Sequence, residues 1–246
     1  MNAKKLLAAL LPVAMLSLLP AADARAEEAW DWTVAPYLWG SSIKTDLNEE
    51  VAPFSSETYF SDIVSKIDMA FQMHVEGQGD RFGVFGDATY LSLSDSGSRT
   101  LFDSDASMQT TLLEAGGVWN VEPERYEGLD LLFGVRYAKV DLDVELDPTA
   151  ALLPTANIGF EETFTDALLG ARYTARLSDK WTLISRVDGS FGQTDGTWNA
   201  SMMAGYRMSK GSLMFGYRHM DLELGGSDRS LDVTMSGPVV AFAFGL

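Results

Sequence analysis

The strongest constraint on what this chain can fold into is the alternation in its last seven residues. From Val240 onward every second residue is bulky and apolar (Val240, Phe242, Phe244, Leu246), and the residues between are Ala241, Ala243 and Gly245. A period of two puts bulk on one face of a strand and almost no side chain on the other. A strand of a soluble sandwich rarely finishes this way. The closing strand of a barrel does, because it must pair with the first strand and leave no free edge in lipid. The expectation is an all-β chain: one antiparallel transmembrane β-barrel, closed by the stretch 230–246.

Residues 1–26 read as a separate unit. Lys4 and Lys5 precede an apolar run from Leu6 to Leu19, broken by Pro12 and Ser17, and small residues follow at Ala22, Ala24 and Ala26. This is the pattern of a secretory signal peptide with a cut after Ala26, too short in its apolar part to span a bilayer of ~20 helical residues. The barrel domain is then 27–246. Export removes Lys4, Lys5, Arg25 and Asp23, so the exported chain is more acidic than the −17 of the full sequence. That balance opposes nucleic-acid binding, which needs basic patches. With no cysteine, disulfides, thiol nucleophiles and thiolate metal sites are excluded. No later run approaches ~18 apolar residues, so no transmembrane helix is expected.

Ten strands can be read in order, with 8–12 possible. The first is 30–41, with Trp30, Trp32, Tyr37 and Trp39 at its two ends as expected of aromatic girdles. The acidic stretch 42–65 reads as a loop able to hide an extra hairpin. Further strands are expected over 66–77, 81–94, 106–121, 129–145, 158–177, 180–194, 197–208, 212–224 and 230–246. Segments 95–105 and 147–157 read as loops, and beyond Val140 the fifth strand meets Asp141, Asp143 and Glu145, where it should leave the membrane. Connections after the second, sixth and eighth strands are tight, while those after the first, third and fifth are long and acidic. Single-chain barrels of the outer membrane have an even strand number, short periplasmic turns and longer outer loops. Both termini should therefore be periplasmic. The seven-residue turn 122–128 and the short hairpin at Asp195-Gly196 depart from that pattern.

The alternation also sorts the charges. Asp87, Glu114, Arg136, Asp166, Arg172, Arg186, Asp188, Arg207 and Arg218 fall on the inward face, together with Asp68, His74 and Glu76. Acidic residues and His come from the early strands and most of the arginines from later ones, so they should pair across the lumen, where an unpaired charge is costly. Two readings follow: a charged plug that holds a structural or surface-interaction barrel closed, or a narrow porin-like channel for small solutes. A third reading is a hydrolase. His219 and Asp221 share a face near the end of the ninth strand, and a His–carboxylate pair can activate water. This resembles the omptin proteases, ten-stranded barrels with an Asp/His pair at the rim, but no matching pair of Asp residues is recognisable on an early strand. Asp141, Asp143, Glu145 and Asp147 alternate on one face and could hold a divalent cation, or form a solvated strand end. No catalytic residue, metal or cofactor is assigned.

The closing strand resembles the terminal strand of bacterial outer-membrane barrels, which the assembly machinery reads, although those chains most often end in Phe and this one ends in Leu246 behind Phe244. More broadly, WDWTVAPYLWGSSI, YFSDIVSKIDMAFQMHVEGQGDRFGVFGDATYLSLSDS and the repeats Gly134-Val135-Arg136-Tyr137, Gly170-Ala171-Arg172-Tyr173 and Gly216-Tyr217-Arg218 resemble a group of uncharacterised proteobacterial outer-membrane β-barrel proteins. The resemblance implies the fold and the outer membrane, with no activity to carry over. Expected partners are outer-membrane lipids and lipopolysaccharide, and the barrel-assembly machinery through the closing strand. The expected state is a monomer.

Overall fold

In a computed structural model the chain is described over residues 30–49, 54–98, 102–122, 125–148, 155–225 and 229–245. The expected signal segment and Leu246 lie outside these. Twelve strands form one antiparallel sheet: β1 (Asp31–Trp39), β2 (Ser42–Glu49), β3 (Phe54–Thr58), β4 (Ile67–Gln78), β5 (Phe82–Ser98), β6 (Phe102–Asn120), β7 (Gly128–Pro148), β8 (Ala156–Arg176), β9 (Trp181–Gly192), β10 (Gly196–Met208), β11 (Gly211–Gly225) and β12 (Arg229–Gly245). From β4 to β12 each strand pairs with the next, and β1 pairs with both β4 and β12, which closes the cylinder. The first and last strands meet over Thr33↔Gly245 to Trp39↔Val239.

The wall has ten strands because β1 and β2 run in line along β12. After a break at Gly40 and Ser41, pairing resumes at Ser42↔Ser236 and continues to Glu49↔Arg229. Gly237 sits at the break, where a Cβ would stand 2.0 Å from the Gly40 carbonyl oxygen, so only glycine lets the backbones approach this closely. β3 folds back on β2, and a four-residue helix, α1 (Phe60–Ile63), returns the chain to β4. The stretch 42–65 therefore does contain an added hairpin.

The direction of the alternation depends on height along the barrel. On β7, Leu131, Phe133 and Val135 point outward and are 38–51% exposed, whereas Asp130 and Arg136 point inward and are buried. Past Ala138 the same outward face carries Lys139, Asp141, Asp143, Glu145 and Asp147, while inward-facing Val140 and Leu142 are buried. β12 inverts in the same way, with Val240 and Phe244 exposed near the termini, and Leu231, Val233 and Met235 buried at the far end. About nine residues of each of these two strands thus present an apolar exterior, the length of a tilted membrane strand. The rest projects beyond that band, polar outside and apolar inside.

Several expectations change. The segment 95–105 is mostly strand: β5 runs to Ser98 and β6 starts at Phe102, with Ser94↔Ser107 and Ser98↔Asp103 in register. Tyr37 and Trp39 join no girdle, because they face inward and are buried, while Leu38 between them is 71% exposed. The termini-end girdle consists of Trp30, Trp32, Trp119 and Trp181, all exposed, with Trp181 packed 5.0 Å from Tyr206 and 6.1 Å from Phe215. A register shift between Ile67 and Met69 turns Ile67 toward the core and leaves Asp68 exposed, where it accepts a hydrogen bond from Ser94. A β-bulge has this effect, because one extra residue reverses the face of everything beyond it.

Candidate functional site in the barrel lumen

The charges predicted to face inward form two connected groups. In the upper one, Arg136 is 1% exposed and donates to Glu114 Oε1 through Nε (3.0 Å) and Nη2 (2.7 Å), to Thr197 Oγ1 (2.6 Å) and to Asp188. Arg186 donates to the second oxygen of each carboxylate, at 2.8 Å to Glu114 and 2.6 Å to Asp188. Arg218 donates to Asn199 Oδ1 (2.7 Å), lies 3.8 Å from Glu114 and covers the Trp39 ring at 4.6 Å. Asn199 in turn donates to Asp188 (2.8 Å). Cross-strand register makes this possible: Glu114 pairs Arg136 on β7, and Asp188 pairs Asn199 on β10.

The lower group lies nearer the termini. Arg172 forks onto Glu76 at 2.6 and 2.8 Å and onto Asp130 at 2.9 Å, the bidentate geometry that suits guanidinium. His74 bridges Glu76 and Asp87, each at 3.2 Å. Ionised carboxylates only accept, so the ring meets both only when both nitrogens carry hydrogen. Asp87 also accepts from the Tyr37 hydroxyl at 2.7 Å. A small apolar cluster of Phe85, Val118, Leu132 and Leu168 sits on the β5–β8 wall. Across the two groups, five carboxylates face four guanidiniums and His74.

Two of the sequence-picked residues stand apart. Asp166, although opposite Arg136 in the ladder, forms no ion pair with an arginine among the described residues. It accepts from Ser190 (3.0 Å), the Gln193 amide (2.7 Å), the Thr194 amide (3.1 Å) and the Thr194 hydroxyl, and so anchors the β9–β10 turn. Arg207 is exposed and lines a cavity of about 360 Å³ at the termini end, beside Arg172, Thr174 and Met214. Sequence reasoning left Asp130, Tyr37 and Asn199 out of the network, although Asp130 lies an even number of residues from Arg136 on β7, and Asn199 from Arg207 on β10, so each shares that residue's face; Tyr37 sits on β1, where no charge marks the inward face.

Above the charges, the lumen is closed by apolar side chains from opposite walls. Leu91, Leu112, Val140 and Phe164 of β5–β8 pack with Met220, Leu222, Leu231, Val233 and Met235 of β11 and β12 in one buried cluster. At the other end Arg125, Tyr126 and Glu127, just before β7, line the mouth. Arg125 reaches Asp31 (3.0 Å) and Asp80 (2.6 Å), the Tyr126 hydroxyl donates to the Asp31 carbonyl (2.8 Å), and Glu127 pairs with Arg176. Tyr126 holds a left-handed φ of 61°, a conformation a large residue keeps only where its surroundings impose it. The two carboxylates around Arg125 hold its guanidinium even further above its ordinary pKa.

His219 and Asp221 do pair, at 3.1 Å, but on the exterior, with the imidazole against Trp198 at 4.7 Å. Among the described residues no group of three or more His, Asp or Glu side chains forms a metal-binding arrangement; Asp141, Asp143, Glu145 and Asp147 stand in a row on the outer face of β7.

An apolar band around a closed, internally polar cylinder defines an outer-membrane β-barrel protein, since only a closed sheet satisfies its backbone in lipid. No protein-family model matches the sequence, and no curated protein does. Among solved structures, the chain is similar in fold to the outer membrane protease OmpT from Escherichia coli (7% identity, 91% of this chain and 99% of that one, TM-score 0.56). It also aligns with the translocator domain of the autotransporter NalP from Neisseria meningitidis (13% identity, 88% and 89%, TM-score 0.46) and with Ail of Yersinia pestis (11% identity, 88% and 100%, TM-score 0.33).

Proposed function

We propose that this protein is a closed structural or surface-interaction barrel of the outer membrane rather than a channel. The observation that carries the reading is the double seal in the lumen: the Glu114–Arg136–Asp188 layer beneath the apolar cluster. A hydrated solute would have to separate buried ion pairs, at about 3–5 kcal/mol for each charge left unpaired, and then cross a dry apolar layer. The 360 Å³ termini-end cavity is lined by Glu76 and Arg172 and by none of Glu114, Arg136 and Asp188. On this reading the termini face the periplasm, a signal peptide ending at Ala26 delivers the chain, and the closing strand engages the assembly machinery. The projecting end then stands in the lipopolysaccharide layer or above it.

The experiment is single-channel recording in planar bilayers. Silence is expected from correctly folded protein, as judged by heat-modifiable gel mobility, and discrete conductance steps would replace this reading with the channel. The hydrolase reading draws no support from the position of His219, whose ring is covered by Trp198 on the outer surface. Replacing His219 or Asp221 should leave any lipid or peptide hydrolysis in the preparation unchanged.

A further inference from the structure

One space in the projecting end is left unfilled by the packing around it. A cavity of about 150 Å³ lies between β2 and β3 on one side and β5, β6 and β7 on the other. Ile43, Ile63, Leu93, Met108, Leu142 and Val144 form its apolar walls, and Thr45 and Thr58 place hydroxyl-bearing side chains among them. Lys66 and Asp95 also line it, and they join at 2.7 Å with side chains 29% and 54% exposed.

We propose that this cavity binds a small uncharged molecule: a single aromatic ring, or an alkane of that bulk, bearing at most one hydroxyl-sized polar group. The volume sets the scale, since an enclosed apolar void of about 150 Å³ holds benzene. The lining sets the chemistry. Ligand sites are concave and mostly apolar with a few convergent polar groups, and the only charges here neutralise each other at the margin. A charged ligand would have to leave water for walls that offer no counter-charge. The Lys66–Asp95 pair ties the segment after α1 to β5, so parting these two exposed side chains widens the opening. The site lies outside the apolar band and shares Ile43, Ile63 and Leu142 with the apolar cluster that closes the lumen.

The test uses the full exported chain in amphipol, with 4-fluorophenol as probe and fluorine NMR as readout. Wild-type protein should shift or broaden the probe signal saturably. Ala106 on the barrel wall and Ser56 on β3 also line the cavity, so Ala106→Phe and Ser56→Phe fill it from opposite sides, and each should weaken binding by about tenfold or more. Lipid-facing Leu129→Phe should bind as wild type. Equal, non-saturating signals from all four proteins mean partition into the amphipol and overturn the proposal. So does undiminished saturable binding in both filled variants. Should Ala106→Phe fail to fold, Ser56→Phe decides alone, because β3 lies outside the ten-stranded wall.

Discussion

Within β7, the stretch from Leu129 to Tyr137 and the stretch from Lys139 to Asp147 have the same alternation and opposite meaning. The first puts Leu131, Phe133 and Val135 outside and Asp130 and Arg136 inside; the second puts Asp141, Asp143 and Glu145 outside and Val140 and Leu142 inside. The strand geometry does not change at the boundary; only the solvent does. Where lipid surrounds the wall, the outward face is apolar and the interior can hold charges that pair with one another. Where water surrounds it, the wall is built as a soluble β-sandwich is, with its core inside. The molecule is thus two proteins on one set of strands, and each half should fail in its own way.

The largest failure belongs to the membrane half. Arg136→Met leaves Glu114 and Asp188 with less of their counter-charge in a site that is 1% exposed or less. The expected loss is about 3–5 kcal/mol, read from urea unfolding in lipid vesicles. Adding Glu114→Gln and Asp188→Asn should recover much of it. A single substitution that proves neutral would mean that water fills the layer.

In the projecting half the equivalent damage is a hole. Leu222 is 2% exposed, beside its ladder partner Val233 in the apolar cluster. Leu222→Ala should cost about 2–5 kcal/mol. Because this half stands in water, the loss should also appear as faster proteolysis of the loop end while heat-modifiable mobility persists. Loss of both together would show that the halves unfold as one.

Much of this was legible from period two alone. The inward placement of Glu114, Arg136, Arg172, Arg186, Asp188 and Arg218 followed from it, as did closure of 230–246 on the first strand. What escaped was the meaning of the inversion. Asp141, Asp143 and Glu145 read as a pattern breaking down, when the alternation continued with its sign reversed and Val140 and Leu142 had become core. The Ser/Asp/Gly-rich segment 95–105 read as a loop because those residues have low strand propensity, yet ladder pairing across β5 and β6 overrides it. Aromatic identity misled at Tyr37 and Trp39: they share a face with Ala35, and the structure turns that face inward, where the Tyr37 hydroxyl meets Asp87. The bulge that exposes Asp68 leaves no mark in the pattern, because an inserted residue looks like any other.

The boundary itself can be located by one substitution made twice. Phe133 and Asp143 lie on the same outward face of β7, ten residues apart. Phe133→Arg should cost about 2–4 kcal/mol, the penalty for arginine near the middle of the bilayer. Asp143→Arg should stay within about 0.5 kcal/mol, since it replaces one negative charge of a crowded acidic row with a positive one. Folding yields into vesicles measure both. Equal costs would place the lipid boundary beyond Asp143 and erase the difference between the two halves.

The smallest effect concerns the turn beneath the membrane half. Arg125 pairs with Asp31 and Asp80, whose side chains are 59% and 51% exposed, and exposed pairs contribute about 0–1 kcal/mol. Arg125→Ala should therefore leave stability almost unchanged. Its consequence is access: the turn holding Arg125 and Tyr126 lines the cavity that Ile184 also lines. Because the chain has no cysteine, a single Ile184→Cys reports on that mouth through its rate of labelling by a water-soluble maleimide. Combined with Arg125→Ala, the rate should rise while a cysteine at Val140, inside the apolar cap, stays unreactive. An unchanged rate at position 184 would mean that the turn rests beside the mouth rather than over it, and that the lumen is guarded from that side by the Glu76–Arg172–Asp130 bridge alone.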